Sequence, residues 1–152
     1  MREILFRAKA INRIKGREYR TSYKNGDWVY GLVTEMYDDR FPNLPATMRN
    51  TDGVSNIDVD YKSIGQYTGL DDKKGKKIFE GDIVTYEDAE ADYEGYHDNV
   101  FINCGKVEIL AWDGIQFTNR QTVDMDDLYE SDIMVNCEII GNIYDNPELL
   151  EV

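Results

Sequence analysis

Histidine is nearly missing from this chain: among 152 residues His97 stands alone. Its isolation excludes metal sites built on several imidazoles and leaves no base for a His-dependent triad outside one acidic stretch, where a lone histidine reads as a surface residue. Cysteine is almost as scarce, with Cys104 and Cys137 far apart and no CxxC pair. Zinc and dithiol chemistry of the usual spacing are therefore absent. The two thiols read as buried and free in a reducing compartment, although two neighbouring strands would leave a disulfide open. As nucleophiles they would need a base to lower their pKa, and only His97 could serve. Basic residues are outnumbered, 17 Lys and Arg against 30 Asp and Glu, for a formal net charge of −13. Such a balance repels phosphate backbones, so direct nucleic-acid binding is not expected. No run approaches the ~20 apolar residues of a membrane span, and Met1 to Arg7 lacks an apolar signal core, so the expected location is the cytoplasm.

Hydrophobic residues make up 41% and aromatics 12% of the chain, enough for a packed core. At this length one domain is expected, divided into a β-meander with its connecting loop over 1–56 and a glycine-punctuated region over 57–152. Phe6, Ala8 and Ala10 alternate with Arg7 and Lys9, the period of a half-buried strand. Lys15-Gly16-Arg17 reads as a turn, Glu18 to Tyr23 as a strand, and Asn25-Gly26 as a type I′ turn leading into a long strand from Trp28 to Tyr37. Phe41-Pro42-Asn43-Leu44-Pro45 and Asn50-Thr51-Asp52-Gly53 mark a connection over 38–53. Ile57 to Tyr61 alternates again and should lead as a strand into Ile64.

From Ile64 to Tyr86, glycines at 65, 69, 75 and 81 separate short β-favouring runs, as turns between strands require. Glu87 to Asp98 holds six acids without a Lys or Arg and reads as a solvated loop. Beyond it, Val100 to Asn103, Gly105 to Trp112 and Ile115 to Thr118 read as strands, with a hairpin turn at Asp113-Gly114. Asp124 to Glu130 suits a short helix, and Asn136 to Tyr144 a last strand stopped by Asn146-Pro147. The predicted fold is mostly β, all-β or α+β with one short helix: an N-terminal β-meander and, in the C-terminal half, a small SH3-like barrel.

Two stretches carry a family resemblance. Ile64-Gly65-Gln66-Tyr67-Thr68-Gly69-Leu70 with Asp72-Lys73 and Gly75 to Val84, and Glu138 to Leu150 with Gly141-Asn142-Ile143-Tyr144 and Pro147, resemble the YopX family of phage and prophage proteins, as does Ile4 to Ala8. The motif residues are Gly65, Gln66, Tyr67, Thr68, Gly69, Gly81, Asp82, Gly141, Asn142, Tyr144 and Pro147. The resemblance implies a phage or prophage origin, a β-rich fold, the host cytoplasm and an oligomer, and it implies no activity. The acidic stretch at 87–98 and the segment from Phe41 to Gly53 depart from the family pattern.

Candidate chemistry is sparse. Asp88, Glu90, Asp92 and Glu94 could offer oxygen ligands to Ca²⁺ or Mg²⁺, but a calcium loop starting at Asp88 would need Gly where Tyr93 stands and Glu where Asn99 stands. Lys73-Lys74-Gly75-Lys76-Lys77 concentrates positive charge in a turn that lacks P-loop context and reads as a solvated hairpin tip. No catalytic residue and no cofactor is indicated. The expectation is a non-enzymatic accessory protein acting by protein binding and self-assembly through an acidic β-rich surface, with a homo-oligomer and a basic host or phage protein as partners. Two alternatives stand beside it: a metal-dependent hydrolase using the acidic residues, and an acidic mimic of nucleic acid that inhibits a DNA-binding protein.

Overall fold

The computed structural model describes residues 3–11, 23–36, 46–51, 57–91, 97–110, 114–118, 123–124 and 137–150; at 86–91, 97–105, 108–110, 114–118 and 123–124 it describes the backbone alone. The chain forms two compact units, Met1–Tyr67 and Thr68–Val152. Both are built from antiparallel strands, and the fold is mostly β as the sequence predicts.

The first unit contains β1 (Phe6–Lys9), β2 (Trp28–Glu35), β3 (Ala46–Asn50), β4 (Ile57–Val59) and the start of β5 (Gly65–Asp71), in sheet order β4-β3-β2-β1-β5. Alternation decides which face is buried: Ala8, Ala10, Val29, Ala46, Met48, Ile57 and Val59 form one core, with Phe6, Val33, Tyr61 and Ile64 packed against it. The far end of β1 also reaches β4, because Ile11 N–H donates to the Asp58 carbonyl at 2.8 Å and Asp60 N–H to the Lys9 carbonyl at 2.9 Å. A single 3-10 turn, Tyr61–Ser63, follows β4 and is capped by Asp60, whose carboxylate accepts from Lys62 N–H at 3.0 Å.

A turn forms at Asn25-Gly26: Gly26 has φ 92°, and Asp27 N–H donates to the Lys24 carbonyl at 3.0 Å. The expected strand from Glu18 to Tyr23 lies outside the described residues apart from Tyr23. The connection expected over 38–53 needs correction, since Ala46–Asn50 is a strand paired with both β2 and β4. Prolines before it and Asn-Thr-Asp-Gly after it dominate the local signal. Inward Ala46 and Met48, alternating with Thr47 and Arg49, carry the pairing instead.

In the second unit β5 continues to Asp71 and pairs with β6 (Lys77–Phe79). A five-stranded sheet follows in the order β10-β9-β8-β7-β11, from β7 (Asp82–Ala91), β8 (His97–Leu110), β9 (Gly114–Thr118), β10 (Val123–Asp124) and β11 (Cys137–Asn142). Among the described residues, Ile78, Phe79, Ile83, Val84, Val107 and Cys137 are buried apolar side chains of this unit. The described strands form this antiparallel sheet with β10 and β11 at its edges, and they do not by themselves confirm the SH3-like barrel expected here. Asp124, expected to open a helix, ends β10 instead; the remainder of that expected helix lies outside the described residues.

The acidic stretch is the second correction. Glu87 to Ala91 continue β7, and His97 to Asn103 belong to β8, so the expected loop is largely a strand pair. Its register gives the reason. Glu87, Asp88 and Glu90 stand opposite Ile102, Phe101 and Asn99, so no acid of β7 faces another acid across this ladder. The β-favouring Val100-Phe101-Ile102 run supplies the partner strand without like-charge pairs.

Candidate functional site

The most organised polar site among the described residues is the turn joining β5 to β6. An Asp opening a turn with Gly three residues later is a local signal for reversal, and here the Asp side chain closes the turn itself. Asp72 is 1% exposed. Its Oδ1 accepts from the N–H groups of Lys74 and Lys76, each at 2.9 Å, while Oδ2 accepts from Ile139 N–H at 3.0 Å. Its own N–H donates to the Lys76 carbonyl at 2.8 Å, and its carbonyl accepts from Gly75 N–H at 2.9 Å. Lys73 N–H then donates to the Cys137 carbonyl at 2.8 Å.

Ile139 N–H and the Cys137 carbonyl lie on the side of β11 that β7 does not cover. An edge strand leaves such groups open to pairing with another chain. The turn occupies them, and so closes part of the sheet's edge.

Electrostatics reinforce the same contact. Lys73 and Lys74 both pair with the Glu138 carboxylate, the former at 3.1 Å. A hydrogen bond from Lys74, then one from Lys73, holds the Glu138 carboxyl below its ordinary range, and the same Glu138 bond raises the Lys74 ammonium. Lying at the surface, these pairs add little stability. The lysine cluster is thus exposed, as expected of a hairpin tip, yet two of its four cations are engaged with β11.

Two further polar fasteners flank this one. Asp82, 1% exposed, accepts from Phe79 N–H at 2.8 Å across the β6–β7 turn. At Gly81 in that turn φ is 88°, a conformation that favours glycine, and a Cβ there would lie 3.1 Å from the Tyr144 ring. Gly81 also donates to the Val107 carbonyl and accepts from Ile143 N–H, both at 2.9 Å. After β11, Asn142 Oδ1 accepts from the N–H groups of Tyr144 and Asp145, and Asn146 Oδ1 packs so near Gly141 that a Cβ there would stand 2.6 Å away.

Cys137 lies among these groups, buried and free. Burial first, then the nearby Asp72 and Asp82 charges, push its thiol from the ordinary 9.0 up to about 12. At neutral pH this holds it as the thiol, a poor nucleophile and a poor ligand. Its other proposed role, a disulfide with Cys104, fails on topology. Cys104 stands opposite Thr85 and Cys137 opposite Tyr86, on the two sides of β7. Two strand spacings of about 4.8 Å exceed the ~7 Å limit for bridging Cα atoms.

The raised thiol gives a pH prediction. Between about pH 9 and about pH 12 the folded chain holds a proton that the unfolded chain releases, so stability falls as pH rises through that window. The full difference amounts to about 4 kcal/mol at ~1.4 kcal/mol per unit. Urea unfolding at successive alkaline pH values should show a decline that is shallower in Cys137→Ala, after allowance for tyrosines and lysines common to both proteins. Equal slopes would contradict the assignment.

Of the four candidate carboxylates, Asp88 and Glu90 sit two residues apart along β7, which puts them on one face of the strand. Asp92 and Glu94 lie outside the described residues. Among the described residues, no three His, Cys, Asp or Glu side chains converge as a metal site would require.

A family model described as "YopX protein" matches residues 14–151. The chain belongs to the YopX family. The solved structures include one similar to it, a crystal structure of protein EF1440 from Enterococcus faecalis, with 25% sequence identity, covering 99% of this chain and 100% of that one at a TM-score of 0.48. No curated protein matches. In this YopX chain, several motif residues take identifiable structural places. Gly65 pairs with Arg7 and Gln66 with Phe6. Tyr67 N–H donates to the Leu5 carbonyl at 2.8 Å. Thr68, fully buried, donates from Oγ1 to the Ile78 carbonyl at 2.8 Å, and Gly69 has φ 86°. Gly81, Asp82, Gly141, Asn142 and Tyr144 build the turns around β11 already described, and Pro147 opens the closing 3-10 turn, Pro147–Leu150. Asp72, quoted with the family resemblance but not among its motif residues, is the centre of the second unit's polar site among the described residues. The local pattern Asp72-Lys73-Lys74-Gly75 is the signal that could have found it.

Proposed function

We propose that this YopX protein is a non-enzymatic accessory protein of phage or prophage origin, acting in the host cytoplasm by binding other proteins and by self-assembly through its acidic, β-rich surface. The observation that supports this reading is the use already made of its buried reactive groups. Asp72 and Asp82 are tied to backbone amides, and Cys137 is held as a thiol. A buried carboxylate whose lone pairs are taken by fixed N–H donors is a poor general base, because protonating it breaks those bonds.

The acidic surface follows from charge. Residues 1–34 carry eight basic and three acidic side chains, a net of +5, leaving −18 over 35–152. A partner with a basic surface fits that excess. The mimic version of this reading draws support from the paired strands: Asp88 and Glu90 follow one strand face at fixed spacing, as a surrogate for ordered phosphates requires.

Affinity capture from host lysate tests the reading. The tagged chain should retain basic proteins at low salt and release them at high salt, with retention reduced by Asp88→Lys combined with Glu90→Lys. Capture indifferent to both salt and charge reversal would contradict it, and divalent-cation-dependent hydrolysis by the purified chain would replace it with an enzyme.

A further inference from the structure

Asparagine followed by glycine occurs once in the chain, at Asn25-Gly26. Beyond shaping a turn, this pair carries chemistry of its own. The main-chain nitrogen that follows an asparagine can attack that residue's side-chain carbonyl carbon and close a five-membered ring, a step that a side chain on the attacking residue hinders. Glycine offers no such hindrance. A Cβ at Gly26 would meet nothing within 4 Å, and Asn25 and Gly26 are both exposed, so the ring and the water that opens it have room.

The fold restrains the nucleophile. Gly26 N–H donates to the Ala10 carbonyl at 2.8 Å, and Ala10 N–H donates to the Asp27 carbonyl at 2.8 Å, which carries the β1–β2 pairing beyond Lys9 and Trp28. The turn is also held at its ends, because Lys24 N–H donates to Asp27 Oδ2 at 2.8 Å and Asp27 N–H to the Lys24 carbonyl at 3.0 Å. Ala10 is in addition bridged to Val59, so it joins β1 to the residues before β2 and to β4. For the ring to close, the Gly26 nitrogen must give up its bond to Ala10, lose its proton and turn toward Asn25 Cγ.

We propose that Asn25 is a site of spontaneous deamidation, held back in the folded chain by the Gly26–Ala10 hydrogen bond. The Gly26 nitrogen, its proton passed to water, bonds to Asn25 Cγ. The bond from Cγ to the side-chain nitrogen breaks, and ammonia leaves with that proton. Water then adds to either ring carbonyl. Breaking the bond from Cγ to nitrogen gives aspartate, whereas breaking the main-chain bond gives isoaspartate, with the chain now running through Cγ. In sum one water is consumed and one ammonia released, with no change of oxidation state. Either product adds a negative charge. Isoaspartate also inserts an extra main-chain atom between Lys24 and Gly26, which moves Gly26 and Asp27 out of register with Ala10. The inference stands apart from the reading of the chain as a binding protein, and either can fail alone.

The test follows the full chain by peptide mapping with mass spectrometry at mildly alkaline pH, folded and in urea, beside a free peptide spanning Tyr23 to Trp28. The unfolded chain should convert at Asn25 as fast as the peptide, and the folded chain about tenfold or more slower, because reaction then waits on local opening. Asn25→Gln should abolish the signal. The deamidated fraction, separated by its added charge, should exchange its Ala10 amide about tenfold or more faster than the parent. Asn25→Asp, which has the same charge and an unaltered main chain, should exchange as the parent does. Three results would each overturn the proposal: an unfolded chain that does not convert, folded and unfolded chains that convert at the same rate, or a deamidated fraction whose Ala10 amide exchanges as in the parent.

Discussion

Replacing Asp72 by Ala is expected to destabilise the second unit by about 4 kcal/mol, one of the two largest effects anticipated for a single substitution. Three backbone N–H groups lose a charged acceptor at once. Hydrogen bonds to charged groups contribute about 1.5–3 kcal/mol each, and donors buried without a partner add a desolvation cost. The three losses do not sum in full, because the freed amides of Lys74 and Lys76 lie at an exposed tip where water can replace the carboxylate. Ile139 N–H, part-buried against β11, has less access to water. Asp72→Asn should fall between the two, at about 2 kcal/mol, since its amide oxygen can serve Lys74 and Lys76 but its NH₂ would meet the Ile139 donor. Urea unfolding of the three proteins gives the order. An Asp72→Ala protein within about 0.5 kcal/mol of the parent would remove the turn from its stabilising role.

Gly31→Ala is the second, and its cause is steric. A Cβ at Gly31 would stand 1.8 Å from the Arg49 carbonyl oxygen and 2.8 Å from both the Arg49 carbonyl carbon and the Asn50 Cα. Those atoms are backbone, so no side-chain rotation relieves the clash. β2 and β3 would have to part where Gly31 pairs with Asn50 and Leu32 with Arg49, in the strands that carry Val29 and Met48 into the core. Overpacking of a core costs about 1–3 kcal/mol where neighbours can shift, and a main-chain collision should exceed that, at about 4 kcal/mol or more. Loss of soluble folded protein, with Leu32→Ser folding normally beside it, is the expected result. A Gly31→Ala protein with an unchanged urea midpoint would contradict the β2–β3 approach.

Much of the architecture was legible because alternation is a local signal. Phe6 to Ala10 and Ile57 to Val59 declared their period in sequence, whereas the strand from Trp28 was marked by the Asn25-Gly26 turn before it and the closing strand around Ile139 by Asn146-Pro147 after it. What misled was charge and punctuation. The acids from Glu87 to Glu90 repel as a run, but a strand sends neighbours to opposite faces and sets them against Ile102, Phe101 and Asn99, an arrangement visible only once the partner is known. Ala46 to Asn50 sat between prolines and a turn sequence, and its strand exists because β2 and β4 lie on either side. Asp72 shows the same limit at the level of a site. The sequence marks it as a turn residue, whereas its third partner, Ile139, is 67 positions away.

Tyrosine and glycine motifs that look like a functional signature also resolve into structural tasks. Thr68 holds β5 to β6, Gly81 and Asp82 shape the next turn, and Asn142 with Asn146 fixes the chain leaving β11. In this chain these motif residues are engaged in holding the fold.

Amide hydrogen exchange at Ile139 is the most direct measurement of whether the β5–β6 turn seals the edge of β11. Its N–H points away from β7, and among the described residues its acceptor is the Asp72 carboxylate. The expected result is strong protection in the parent chain that falls by orders of magnitude in Asp72→Ala, while the amides paired between β7 and β8 exchange as before. Exchange at Ile139 as fast as at an open strand edge in the parent chain, or unchanged by the substitution, would contradict it.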